Sequence, residues 1–129
     1  MSHIEGIDSH QLSAWMEADP AGLLLVDVRS PAEMAQGVLP NAEPVPMHLV
    51  PVRMEGWRNQ PKIVFYCRSG ARSAQVCAFL QQQGFSQVYN LRAGIVDWYR
   101  QGYAIEAPGL IPVWPVDQAL PGCALNRAI

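Results

Sequence analysis

A chain of 129 residues that is 50% apolar fits one compact domain whose core needs neither disulfide nor metal support. A formal net charge of −2, with Lys and Arg scattered, leaves no basic stripe for nucleic acid, and no apolar run approaches the length of a membrane span. The opening stretch MSHIEGIDSH lacks the basic and apolar regions of a secretory signal, and Cys67, Cys77 and Cys123 are an odd, widely spaced set without a CxxC pair. The expectation is a cytoplasmic protein with reduced thiols.

Strand and helix patterns alternate along the chain. Ile4 to Ile7 reads as a weak strand, and Asp8 or Ser9 caps a helix carrying Leu12, Trp15 and Met16. Leu23 to Val28 is continuously apolar up to Asp27, as a strand covered on both faces should be. Ser30-Pro31 then opens a helix over Ala32 to Gln36, Val45 marks a short strand, and Leu49, Val52 and Trp57 mark another helix. Ile63 to Tyr66 repeats the buried-strand character. The clearest helix runs from about Ser73 to Gln83, with Gly84 as a left-handed cap and Phe85 as its hydrophobic contact. Val88 to Leu91 is the next strand, and a last helix puts Ile95, Trp98 and Tyr99 on one face before Gly102. This alternation predicts an α/β fold, an open, mainly parallel β-sheet with helices on both faces. Residues 1–107 make the domain. In the tail, 108–129, Pro108, Pro112, Pro115 and Pro121 fall among apolar residues, which forbids regular structure and predicts packing along the domain or in a homodimer contact.

In that class, active loops lie beyond the carboxyl ends of strands. Cys67-Arg68-Ser69-Gly70-Ala71-Arg72-Ser73 occupies such an end and runs into a helix. A tight loop with Gly70 at its middle turns successive backbone N–H groups inward, where no intrahelical carbonyl claims them. The resulting anion cradle stabilises a Cys67 thiolate, and Arg68 and Arg72 add positive charge on either side of Gly70. No histidine lies in the loop, so activation rests on electrostatics. The competing reading, a buried cysteine that merely ends a strand, is disfavoured by the two flanking arginines. Elsewhere structural readings prevail. Cys77 and Trp98 belong to the core, Cys123 is an accessible tail thiol, and Asp27 and Arg29 tie loops together. His3, His10 and His48 have no metal-site spacing.

The loop resembles the active-site loop of the rhodanese family of sulfurtransferases. Leu25-Val26-Asp27-Val28-Arg29 with Glu33, Gly37 to Pro46, and Gly94 to Gly102 with Trp98 resemble three further signatures of that family, in the same order. Val38 stands where the family usually has histidine, and Asn41 where it has glycine; Asn tolerates the left-handed conformation of such a turn. The resemblance implies a ping-pong transfer without metal or organic cofactor. Cys67 takes the outer sulfur of thiosulfate or another sulfane-sulfur donor and hands it to cyanide, a thiol or a sulfur-carrier protein. Arg68, Ser69, Gly70, Ala71 and Arg72 are the implied substrate-binding residues. Phosphatase or arsenate chemistry on the same fold is the alternative. It uses a loop one residue longer between Cys and Arg than the Arg68-Ser69-Gly70-Ala71 found here. A noncatalytic binding module is another, but such domains usually lack the cysteine.

Overall fold

The computed structural model describes residues 4–107 and the backbone of residues 112–113. Five strands, β1 (Gly6–Ile7), β2 (Leu23–Asp27), β3 (Glu43–Pro44), β4 (Lys62–Tyr66) and β5 (Val88–Leu91), form one sheet in the order β1-β5-β4-β2-β3. Every pairing is parallel, with β2 and β4 in register from Leu23 opposite Lys62 to Asp27 opposite Tyr66. The carboxyl ends of the strands therefore line one edge of the sheet, and the segments leaving that edge meet there.

The unbroken apolar character of the central strands follows from burial on both faces. Successive β4 residues alternate: Ile63 and Phe65 enter one core cluster, Val64 and Tyr66 the other. The first cluster is closed by Val76, Cys77 and Leu80 of α4 (Ala71–Gln82) together with Val50 and Trp57. The second is closed by Leu12 of α1 (Ser9–Ala18) and by Ile95 and Trp98 of α5 (Gly94–Arg100).

Helix ends follow the local sequence. The Asp8 carboxylate accepts the Gln11 N–H at 2.8 Å. Ser30 and Glu33 form a reciprocal capping box at the start of the short α2 (Pro31–Met34). Gly84 has φ +94°, and the Phe85 N–H reaches back to the Leu80 carbonyl at 3.0 Å, closing α4 as its sequence predicts. Asn41, at φ 65°, adopts the left-handed conformation its residue type tolerates.

Three local expectations are corrected. The helix expected around Leu49 to Trp57 is a chain of short turns, with α3 (Val50–Arg53) between 3₁₀ turns at Met47–Leu49 and Met54–Trp57. Pro51 supplies no N–H to its ladder and Gly56 weakens it further on, so the helical phase breaks and Val52 faces solvent, 76% exposed. Helix α4 begins at Ala71, two residues before its predicted start, because Gly70 is its cap. In the tail, Pro112–Val113 (β7) does form regular structure. Its backbone pairs antiparallel with Ile105–Glu106 (β6), in a two-stranded sheet where a residue lacking an N–H is tolerated. The rest of the tail, with Cys123 and the predicted packing or dimer contact, lies outside the described residues, as does His3.

Candidate active site

Cys67 follows β4 directly and is buried, with 1% of its surface exposed. The loop after it is pressed between β5 and α5 by two glycines. A Cβ on Gly70, at φ +104°, would stand 2.0 Å from the Arg92 carbonyl oxygen, and one on Gly94 would stand 2.2 Å from that of Arg68. This close approach lets the first turn of α5 clasp the loop: the Ile95 N–H donates to the Cys67 carbonyl at 3.0 Å and the Val96 N–H to the Arg68 carbonyl at 3.2 Å. Across a trans peptide, C=O and N–H point in opposite directions. Drawing the Arg68 carbonyl toward α5 turns the Ser69 N–H that follows it toward the cysteine side chain.

The Gly70 N–H lies 3.1 Å from Cys67 Sγ and the Ser73 hydroxyl 3.5 Å from it. Burial pushes the thiol pKa up. Hydrogen bonds from the Ser73 hydroxyl and from the backbone N–H groups of Ser73, Gly70 and Ser69 outweigh that effect, so the thiol sits below its ordinary value. Activation by backbone and hydroxyl donors is thus built into the loop.

Arg72 projects from α4 to Glu33, where two parallel bonds of 2.8 Å join guanidinium and carboxylate. The Arg72 bond is the main reason that the Glu33 pKa is lowered to about 2; bonds from Ser30 assist and burial opposes. Glu33 is held in turn by its capping box and by Arg29, which donates to the Glu33 carbonyl at 3.4 Å and to the Gly37 carbonyl at 2.6 Å. Arg29 itself forms a buried pair with Asp27 at 2.7 Å. Asp27 and Arg29 therefore tie loops together, and the chain of contacts ends beside the Cys67 loop through Arg72.

Because the Glu33 pKa is lower folded than unfolded, the Glu33–Arg72 pair stabilises the fold fully above the ordinary carboxyl value of 4.5 and fades as pH falls toward about 2. Glu33→Gln should cost about 1 kcal/mol near neutral pH, a value discounted for the part-exposed geometry. Urea unfolding should show this wild-type advantage shrinking steadily on acidification. A difference that holds constant with pH would show that the Glu33 charge does not carry the loss.

Of the residues singled out in the sequence, Cys67 and Gly70 are buried, Arg68, Ser69 and Ala71 are exposed, and Arg72 is part-buried against Glu33. The structure adds Ser73 and Asn90, both buried, as further groups of the site. Ser73 had a legible signal, a hydroxyl in the first turn after the loop; Asn90 had a fainter one, a polar residue in an apolar strand. Cys77 is fully buried, and burial pushes its thiol up to about 12, which keeps it a core residue. Among the described residues no cluster of His, Cys, Asp and Glu is arranged to hold a metal, and no described helix is long and apolar enough to cross a membrane.

A parallel α/β sheet with a donor-ringed cysteine at the carboxyl end of a central strand defines a cysteine-centred domain of the open-sheet class. The Rhodanese-like domain family matches residues 8–101, and the chain belongs to that family. It is 52% identical over 105 residues to a sulfurtransferase of Allochromatium vinosum, covering 81% of this chain and 97% of that protein. It is 40% identical over 95 residues to the putative sulfurtransferase YtwF of Bacillus subtilis, covering 74% and 90% of the two chains. The crystal structure of a rhodanese-related protein from Thermoplasma volcanium superposes with a TM-score of 0.71 at 26% identity, over 80% of this chain and 98% of the other.

Proposed function

We propose that the protein is a sulfurtransferase that carries sulfane sulfur from thiosulfate or a similar donor, through a Cys67 persulfide, to a thiophilic acceptor. The observation that carries this reading is the buried Cys67 Sγ beneath the Gly70 N–H at 3.1 Å, with its thiol held below the ordinary value. A sulfur so covered is reached by a donor that ends in a single slender atom. The thiolate attacks the outer sulfur of thiosulfate, the S–S bond of the donor breaks, and sulfite leaves with the electron pair. The new terminal sulfur carries the negative charge, which the loop N–H groups are placed to receive. Attack by cyanide, a thiol or the sulfur-bearing end of a carrier protein then breaks the Cys67 persulfide bond and returns the thiolate. Reduced thiols suit a cytoplasmic setting. Arg68, exposed beside the loop, supplies charge for an anionic donor, while Arg72 acts as a fixed charge braced by Glu33.

The deciding assay compares thiosulfate with an aryl phosphate. Sulfur transfer should be readily measured and phosphate hydrolysis negligible, because a tetrahedral oxyanion needs more room and more donors than four residues between Cys67 and Arg72 provide. Arg68→Gln should raise KM for thiosulfate roughly 3- to 10-fold with little change in kcat, and added salt should mimic part of that loss. Phosphatase turnover rivalling sulfur transfer, and lost in Cys67→Ser, would replace this reading with the phosphatase one.

A further inference from the structure

Asn90 is a buried amide on β5, on the sheet face otherwise filled by Ile63, Phe65 and Val88. A polar group there is costly unless its bonds are made. Its Nδ2 donates to the Gly70 carbonyl at 3.2 Å, and its Oδ1 accepts the Ser73 hydroxyl at 2.5 Å. The orientation of the amide is fixed by chemistry, since a carbonyl oxygen only accepts and the Gly70 oxygen must face the N–H₂ end.

The Ser73 hydroxyl has one proton and three acceptors within reach: Asn90 Oδ1, the Gly70 carbonyl at 3.3 Å and Cys67 Sγ at 3.5 Å. The Gly70 carbonyl already receives the Ala74 N–H at 3.1 Å and the Asn90 amide, which fills its two lone pairs. We infer that Asn90 is a positioning residue: by occupying the Gly70 carbonyl and anchoring the Ser73 oxygen, it keeps the Ser73 proton available to the Cys67 sulfur. While the sulfur is neutral the proton rests on Asn90. When the thiolate forms, its charge draws that proton into a bond shared between Asn90 Oδ1 and the sulfur, so the Ser73 oxygen stays anchored. Without Asn90, the Gly70 carbonyl loses a donor and claims the Ser73 proton for itself.

The inference rests on Cys67 being the nucleophile and not on the identity of the donor. It is therefore tested with the neutral reagent iodoacetamide, so that its failure is separable from a failure to use thiosulfate. Charged groups around the loop stay in place in every variant. These are Arg68 on the loop, Arg72 of α4 with Glu33 of α2 and Asp27 of β2 acting on it, and Arg92 after β5. In the intact protein, the midpoint of the alkylation rate against pH should rise by about one unit in Asn90→Ala. It should rise similarly in Ser73→Ala and no further in the double variant, since both act through one proton. Asn90→Thr, whose branched side chain suits the strand and whose single hydroxyl can satisfy one partner, should give an intermediate midpoint. It carries the same test if alanine opens the core. A wild-type midpoint in Asn90→Thr and Asn90→Ala, with only thermal stability lowered, would reduce Asn90 to a structural residue. Full additivity with Ser73→Ala would show that it acts by another route.

Discussion

Cys67→Ser should abolish sulfur loading while leaving the fold intact. Serine is close to cysteine in size, and its oxygen can still accept the Gly70 N–H that now lies 3.1 Å from Sγ, so stability should change by no more than about 1 kcal/mol. The hydroxyl stays protonated at any working pH and forms no persulfide. Cys77→Ser should behave in the opposite sense. That thiol is fully buried in the core and pushed up to about 12, so it contributes packing and no chemistry. Its variant should lose some stability, through a polar atom placed among apolar neighbours, and retain loading. Mass spectrometry of the intact protein after thiosulfate treatment decides. One added sulfur on wild type and on Cys77→Ser, and none on Cys67→Ser, is the expected pattern; sulfur retained in Cys67→Ser would overturn the assignment.

Gly70→Ala should be nearly as damaging, for a purely steric reason. The new methyl would stand 2.0 Å from the Arg92 carbonyl oxygen, a backbone atom at the end of β5 that has no flexible way out. The loop must lift, and lifting it withdraws the Gly70 N–H from the sulfur. By analogy with the loss of one donor from an oxyanion hole, loading should slow on the order of 100-fold. Conformational strain at φ +104° adds a stability cost of about 1–3 kcal/mol. Gly84→Ala is the control. It shares a left-handed φ of +94°, but its methyl would meet only Arg58 Nη1 at 3.5 Å, an ordinary contact. It should cost about 1–2 kcal/mol of stability and leave loading unchanged. Stopped-flow loading rates and urea unfolding of the two variants separate strain from loss of the donor. Equal loading by both would mean that the Gly70 N–H does not serve the reaction.

The architecture was legible because its signals are local and redundant. Ile63 to Tyr66 read as a strand buried on both faces, and the Gly84-Phe85 pair marked the end of α4 within a residue. Caps at Asp8 and Ser30 announced their helices for the same reason, since the side chain and the amide it satisfies lie within three residues. The segment from Met47 to Trp57 was less legible, because apolar spacing suggested one helix while a proline and a glycine broke its phase. In the site, the cysteine, the glycine and the cationic flanks are contiguous and could be read directly. The partners that decide what those groups do are distant in sequence: Glu33 for Arg72, Asn90 for Ser73, and Gly94 for the loop backbone. Whether an arginine binds a ligand or braces a loop depends on which strand end lies opposite it. Only the register of β2, β4 and β5 settles that.

The clasp of α5 on the loop ties the backbone around Cys67 to a segment far along the chain. Cys67 and Arg68 leave β4 near the middle of the chain, but the N–H groups that capture their carbonyls belong to Ile95 and Val96. As the chain emerges from its N-terminal end, β2 and β4 can pair and bury Ile63 and Phe65 while the cysteine still behaves as an ordinary thiol. The loop backbone gains its last two hydrogen bonds when α5 docks and Trp98 enters the second core. Partial unfolding that releases α5 alone would free the Cys67 and Arg68 carbonyls and loosen the loop before the sheet itself is lost.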